Sequence, residues 1–311
     1  MHNILILGGS GFIGKNLLSY MNEIDFFKNN KKLVISSRDL SHINDALKNF
    51  EIYKIKLEEI DRIKILIKEN DIKTIVHLVS GIIPASNEND FRKEIDSVIN
   101  PTIEIFTYAA EIGAKVLFIS SGGTIYKNNS SAHKETENLD PINFYGKSKV
   151  MIEEALKKLK INSNLEYITL RPSNVYGNFY NLNRNQGLIP NTINNILNNQ
   201  PFTIWGDGLA KRDYLFAEDL CKIICQLIHK QDISGEFNIA SSSVYSVLEV
   251  VKLIESKTSI SANIQFKDSR NIDAYCSILD TSKIKRIIDF KPHNLDYGLD
   301  NILKNIPLNN E

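Results

Sequence analysis

The spacing of apolar positions changes period several times along the chain. Residues 3–7, Asn-Ile-Leu-Ile-Leu, form an apolar run too short for a helix and rich in strand formers. Gly8-Gly9-Ser10-Gly11 cannot continue it, and from Phe12 to Leu18 apolar residues take up helical spacing. Similar runs predict strands at 32–36, 52–57, 73–79, 115–120 and 165–170. Helical periodicity covers 41–49, 60–69, 91–112 (closed by Gly113) and 145–159, and 80–89 reads as a polar loop. Such alternation predicts an α/β fold, a doubly wound parallel sheet with helices on both faces. Ligands of such sheets bind beyond the carboxyl ends of the strands, so residues just after each strand carry the information. Past Leu170 the texture changes. Residues 171–190 read as loop, 192–199, 218–229, 248–255 and 282–288 as helix, and 202–205, 237–239 and 263–266 as short strands.

The opening strand, turn and helix carry glycines at 8, 11 and 14. Gly8 permits the turn, Gly11 lets backbone approach a pyrophosphate, and Gly14 lets the helix pack on the strand. The helix N-terminus then offers its N–H groups to the anion. The spacing is G-x-x-G-x-x-G, and its place at the first βα turn predicts a dinucleotide site. A dinucleotide-binding domain over 1–172 and a smaller α/β lobe over 173–311 are expected, with segments near 214–240 returning to the sheet.

Composition narrows the classes. The 311 residues are 42% hydrophobic with formal net charge zero, so no electrostatic footprint for nucleic acid or an anionic membrane is expected. No run reaches the length of a membrane span and no leader pattern opens the chain, so a cytoplasmic protein is expected. Cys221, Cys225 and Cys276 lack metal-ligand spacing; the first two, one turn apart in an apolar helix pattern, read as core thiols. No metal is expected.

Tyr145-Gly-Lys-Ser-Lys149 opens a predicted helix, with Tyr145 and Lys149 one turn apart on a shared face. A phenol titrates near pH ~10, and an ammonium close by favours the phenolate. Such a pair can take a proton from a sugar hydroxyl as hydride leaves the same carbon. With the glycine turn upstream, the chain resembles the extended short-chain dehydrogenases/reductases of the NAD-dependent epimerase/dehydratase family. Its likeness to the nucleotide-sugar epimerases covers nearly its whole length. The resemblance runs through Gly8–Gly14, Ile75-Val-His-Leu78, Ile119-Ser-Ser-Gly-Gly-Thr-Ile-Tyr126, Tyr145–Lys149 and Arg171-Pro-Ser-Asn-Val-Tyr-Gly177. It continues in Gly187-Leu-Ile-Pro190, Ile204-Trp-Gly-Asp-Gly208, Arg212-Asp-Tyr214 and Phe237-Asn-Ile239.

The resemblance implies a Rossmann sheet and a set of roles. Tyr145 is the acid/base, and Lys149 holds the nicotinamide ribose and depresses the Tyr145 pKa. A Ser or Thr after the 115–120 strand bonds the reacting hydroxyl. Gly122 stands at the usual position, so Ser121 or Thr124 substitutes, Ser121 being preferred and Thr124 placed with the substrate. Gly8, Gly11, Phe12, Ile13, Gly14, Ser37, Arg38, Leu57, Leu78, Val79 and Pro172, with Tyr145 and Lys149, line the cofactor. Asn174 meets the pyrophosphate, Leu188 the base, Arg212 and Arg270 phosphate oxygens, and Asp273 a ribose. Asp219 is expected to cap or orient the following helix, and His77 to be a core histidine. The second strand ends Ser36-Ser37-Arg38 instead of in an acid, and two cofactors stay open. Either Ser37 and Arg38 hold the 2′-phosphate of NADP, or Arg38 stacks or points to water while Asp39 or backbone serves NAD. Lys56-Leu57 stands where the family often has an Asp near the adenine.

The first functional reading is a nucleotide-sugar 4-epimerase of the UDP-hexose class, acting by transient C4 oxidation and re-reduction. The 122–124 segment has no Asp-Glu pair, which counts against 4,6-dehydratase chemistry. The alternative is an NADPH-dependent reductase of an NDP-4-keto-6-deoxy sugar, which Arg38 supports. A nucleotide-sensing binding protein on the same fold is argued against by the intact Tyr145 and Lys149. A homodimer through helices near 91–112 and 145–159 is implied.

Overall fold

The computed structural model describes residues 3–29, 33–37, 50–127, 131–179, 187–269 and 276–306. The predicted helix at 41–49 lies outside them, as do Arg38, Arg270 and Asp273. In chain order the elements are β1 (Asn3–Leu7), α1 (Phe12–Glu23), β2 (Leu33–Ser37), β3 (Glu51–Lys54), α2 (Ile60–Glu69), β4 (Ile72–His77), α3 (Glu88–Glu94), α4 (Asn100–Glu111), β5 (Lys115–Ile119) and α5 (Phe144–Ser163). There follow β6 (Tyr167–Pro172), β7 (Asn174–Tyr176), α6 (Leu188–Leu197), β8 (Pro201–Trp205), β9 (Lys211–Phe216), α7 (Ala217–His229), β10 (Gly235–Ile239), β11 (Val244–Ser246), α8 (Val247–Thr258), β12 (Asn263–Lys267), β13 (Cys276–Ser277), α9 (Ser282–Lys285) and α10 (Leu295–Lys304). Among the described residues no helix is long and apolar enough to cross a membrane.

Seven strands form one sheet in the order β10-β6-β5-β4-β1-β2-β3, and every pairing from β6 across to β3 is parallel. Strand order reverses between β1 and β4, so the ligand crevice of a doubly wound sheet falls at the ends of those two strands. β5 and β6 are buried along their whole length, as strands covered on both faces must be.

The chain divides into two compact units that alternate along the sequence. One comprises Met1–Ser121, Asn143–Arg171 and Cys221–Phe237; its core joins Leu5, Ile75, Val116 and Phe118 of the sheet to Ile105, Phe106 and Ile152 of the helices. The other comprises Gly122–Ile142, Pro172–Leu220 and Asn238–Glu311; its core joins Tyr176 and Phe216 to Ile189, Ile193, Val250 and Leu299. In this second unit β9 pairs with β7, β11 and β13, and β8 pairs with β12.

Several expectations need correction. Arg171 and Pro172 complete β6 instead of opening a loop, and β7 and the start of α6 also fall within 171–190. The single helix expected at 91–112 starts at Glu88, behind an Asn87–Asp90 capping box, and is interrupted by a π-helical turn, Ile95–Ile99. Pro101 explains the turn: proline donates no N–H and crowds the carbonyl four residues back, and a widened turn accommodates both. Cys221 and Cys225 are buried in α7 and form no disulfide.

Candidate active site

Gly8, at the end of β1, has a φ of 88°, a left-handed conformation that side chains resist. The Gly11 amide donates to the Gly8 carbonyl at 3.1 Å, closing the turn. A Cβ on Gly14 would lie 2.5 Å from both the Gly8 and Gly9 carbonyl oxygens, so only glycine lets α1 start this close to the turn. No side chain caps α1 at Gly11 and no acid sits in its first turn. That suits an anion bound to its amides. The loop after β4 lies alongside: the Leu78 amide donates to the Leu7 carbonyl at 3.0 Å, and a Cβ on Gly8 would lie 3.1 Å from Val79 Cγ2. The turn, Leu78 and Val79 thus meet at the strand-order reversal, and this cradle fits a dinucleotide pyrophosphate. Phe12 and Ile13 are half-buried in the first turn of α1, and Leu57 is buried after β3. Ser37 ends β2, its backbone paired with Lys54.

The second cluster of this unit lies where β5 ends and α5 begins. The Ser120 amide donates to the Leu170 carbonyl at 2.8 Å, carrying the β5–β6 ladder up to Ser121. Asn143 caps α5, its side chain accepting from the Gly146 amide at 2.9 Å, which fixes the first turn where Tyr145 sits. The Tyr145 phenol is hydrogen-bonded to the Ser121 side chain. Lys149, one turn on and buried, donates from Nζ to the Ile119 carbonyl at 3.1 Å; its ammonium lies 5.1 Å from the Phe118 ring centroid and 5.5 Å from that of Tyr145.

The charge states follow from burial. Desolvation pushes the Tyr145 phenol up to about 12; the Ser121 hydrogen bond opposes this and the Glu94 charge adds to it. Desolvation pulls Lys149 down to about 8, against the charges of Glu94 and Glu153. The sequence expectation that Lys149 depresses the phenol is therefore not met in the protein alone. Lys149 spends its hydrogen bond on Ile119, and loss of water dominates the phenol. At neutral pH the pair is a neutral phenol beside an ammonium, an arrangement that can donate a proton to an oxygen at Ser121.

Three buried ionisable groups nearby escaped sequence reasoning. Glu153, one turn beyond Lys149, holds Arg171 of β6 in a bidentate pair, Nη2–Oε2 2.6 Å and Nε–Oε1 3.1 Å, both side chains fully buried. Glu94 accepts the Gly81 amide with both oxygens. A charged residue beside a buried helical stripe, as at Ile152-Glu153 and Glu94-Ile95, was the available signal. His77 is a core histidine: its Nε2 lies 2.9 Å from Thr102 Oγ1, and desolvation pulls its pKa to about 3.

In the second unit Asn174 lies in β7 and Arg212 in β9, both half-buried; the Asn174 Nδ2 donates to the Asp213 carbonyl at 3.0 Å. Asp213, not singled out from sequence, is buried and accepts from Ser173, from the Ser241 amide at 2.9 Å and from Ser241 Oγ at 2.9 Å. Leu188 opens α6 after Gly187, whose φ is 90°. Thr124 is half-buried, its carbonyl accepting from Ile142, and the Pro172 carbonyl accepts from Gly122 at 2.7 Å. Asp219 lies in the first turn of α7, where its carboxylate takes the His293 amide at 2.9 Å and faces His293 Nδ1 at 2.8 Å.

Residues 4–240 match the NAD dependent epimerase/dehydratase family. The chain is 33% identical over 315 aligned positions to a dTDP-4-dehydro-6-deoxyglucose reductase of Escherichia coli, covering 98% of each chain. Among solved structures it superposes on the UDP-glucose 4-epimerase of Thermotoga maritima with UDP-glucose, with a TM-score of 0.88, 25% identity and 97% of each chain covered. It also superposes on the UDP-N-acetylglucosamine 4-epimerase of Methanobrevibacter ruminantium with UDP-N-acetylmuramic acid, with a TM-score of 0.85, 26% identity and 97% of each covered.

Proposed function

Because the chain belongs to the NAD dependent epimerase/dehydratase family, whose members here are enzymes acting on nucleotide sugars, we propose that it reduces the C4 carbonyl of an NDP-4-keto-6-deoxy sugar. The observation that carries this reading is the half-buried Tyr145, whose phenol is kept neutral at working pH by loss of water and is hydrogen-bonded to Ser121. The nicotinamide, when bound, supplies hydride to C4. Tyr145 gives its proton to the C4 oxygen as the alkoxide forms, and Ser121 positions that oxygen. Lys149 keeps a positive charge beside the phenol and favours the phenolate left behind. The glycine turn and the amides of α1 seat the pyrophosphate of the cofactor, with Phe12, Ile13, Leu57, Leu78, Val79 and Pro172 against its apolar parts. Asn174, Leu188 and Arg212 bind the nucleotide diphosphate of the sugar. The 33% relative, aligned end to end, supports a reductase.

A second reading has its own support: the 4-epimerases of known structure superpose over nearly the full chain, and the same residues run in both directions give a UDP-hexose 4-epimerase. Incubating the protein with UDP-glucose, UDP-GlcNAc and dTDP-4-keto-6-deoxyglucose, each with and without NADH or NADPH, separates the two. Stoichiometric consumption of reduced cofactor with the 4-keto sugar supports the reductase; interconversion of hexose epimers without net consumption supports the epimerase. No conversion of any of them refutes both. The preferred reductant decides between NAD and NADP, and light scattering tests a homodimer.

A further inference from the structure

Glu94 has no role in the proton transfer or the cofactor cradle as described, yet it holds the loop beside the cradle and its helix docks on α5. It ends α3, immediately before the π-helical turn, and is 2% exposed. Its Oε1 and Oε2 accept the Gly81 amide at 3.0 and 3.1 Å, and a Cβ on Gly81 would lie 2.3 Å from Oε2. Gly81 closes the short loop whose Leu78 continues the β1 ladder and whose Val79 packs on Gly8. On the other side, Phe91, one turn before Glu94, stacks on Phe144 with ring centroids 5.2 Å apart, docking α3 at the first turn of α5. A carboxylate kept this dry is costly to hold and persists where surrounding structure requires it.

We propose that Glu94 is a positioning residue of this site: its carboxylate pins the 78–81 loop against the glycine-rich turn and supplies the negative field in which Tyr145 and Lys149 work. This rests on the reading of Tyr145 as proton donor. The Glu94 charge raises the affinity of both groups for their protons. The other charged or titratable groups around them are Lys149 itself, Glu153 paired with Arg171, neutral His77 on β4 and the exposed Lys147, whose Nζ lies 5.0 Å from the Phe144 ring centroid. On α3, Arg92 is paired with Glu88 and Asp90 caps the helix.

Glu94→Gln keeps an acceptor for Gly81 and removes the charge; Glu94→Asp keeps the charge and shortens the reach. Tyr145 ionisation is read without cofactor, as phenolate absorbance minus that of the matching Tyr145→Phe protein. Dinucleotide affinity is read by NADH and NADPH fluorescence titration. In Glu94→Gln the phenol midpoint is expected to fall by about one pH unit, tenfold in the acid constant. The alkaline limb of turnover should also move down, because Glu94 supports the charge on Lys149 as well. In Glu94→Asp the midpoint should stay and dinucleotide affinity should weaken about tenfold. An unmoved midpoint in Glu94→Gln, or unaltered affinity in Glu94→Asp, overturns the proposal; if the Gln protein does not fold, the Asp protein decides. Neither titration needs a sugar, so a wild-type protein that converts no nucleotide sugar refutes the functional reading and leaves the test of Glu94 standing.

Discussion

Replacing one member of the Glu153–Arg171 pair should cost far more than replacing both. The two side chains are fully buried and joined by hydrogen bonds of 2.6, 3.1 and 3.2 Å. Glu153→Leu strands a guanidinium that cannot lose its proton, and a buried ion left without its partner costs about 3–5 kcal/mol. Arg171→Met strands a carboxylate that escapes by taking up a proton. Its pKa in the folded state then lies above the unfolded value near ~4.3, so the folded protein holds more protons. Stability of that variant should fall as pH rises from about 4, whereas Glu153→Leu gains no such relief. The double variant Glu153→Leu/Arg171→Met exchanges the pair for apolar packing, which ranges from neutral to about 1–4 kcal/mol stabilising. Urea unfolding followed by far-UV circular dichroism is the suitable assay, because the single tryptophan, Trp205, belongs to the other unit. With a urea slope of ~3 kcal/mol per M, Glu153→Leu should lower the midpoint by roughly 1–1.7 M and the double variant should recover it. A Glu153→Leu midpoint within ~0.3 M of wild type, or a double variant as weak as the single, would refute the reasoning. The recovered double variant should still lose activity at lower pH than wild type, because Glu153 supports the charge on Lys149.

Tyr145→Phe removes the proton donor and should cut turnover about 10²–10⁴-fold with little change in melting temperature. Lys149→Met should lose comparable activity yet gain stability near neutral pH. Burial lowers the Lys149 pKa to about 8 from 10.5, so the unfolded chain binds more protons between those values. The wild-type contribution therefore rises with pH across that window, and the difference between the two proteins should shrink above about pH 10. Gly14→Ala, which sets a methyl against two backbone carbonyls, should weaken dinucleotide affinity at least about tenfold by fluorescence titration, more than Gly11→Ala, whose Cβ lies 3.3 Å from the Gly8 oxygen. Lys115→Met should destabilise by about 1–2 kcal/mol in urea, because the buried Nζ donates to the Leu227 carbonyl at the end of α7 and pairs with Glu166.

Where the signal is local the sequence is legible. The glycine turn and the Tyr145–Lys149 spacing are written within a few residues, and α2 spans the 60–69 stretch its periodicity predicts. β9 was hidden because it opens Lys-Arg-Asp and buries Asp213, a choice that makes sense only once Ser173 and Ser241 arrive from connections distant in sequence. α10 was hidden by Gly298 in its middle. That glycine answers to packing, since a Cβ there would lie 2.1 Å from the Tyr176 hydroxyl. Glu94 and the Glu153–Arg171 pair depend likewise on partners 13 and 18 residues away, which periodicity does not reveal. The 38, 270 and 273 positions lie outside the described residues.

The alternation of the two units along the chain has a consequence for synthesis. β6, buried throughout in the finished fold, is translated before its outer neighbour β10 exists. About 60 residues must still be translated, roughly 3–12 s at ~5–20 residues per second. During that interval the nascent chain offers an unprotected strand edge to any other strand it meets. Ribosome-bound chains whose β10 has not emerged should therefore be the aggregation-prone species, and those extended far enough past 239 to expose β10 should not.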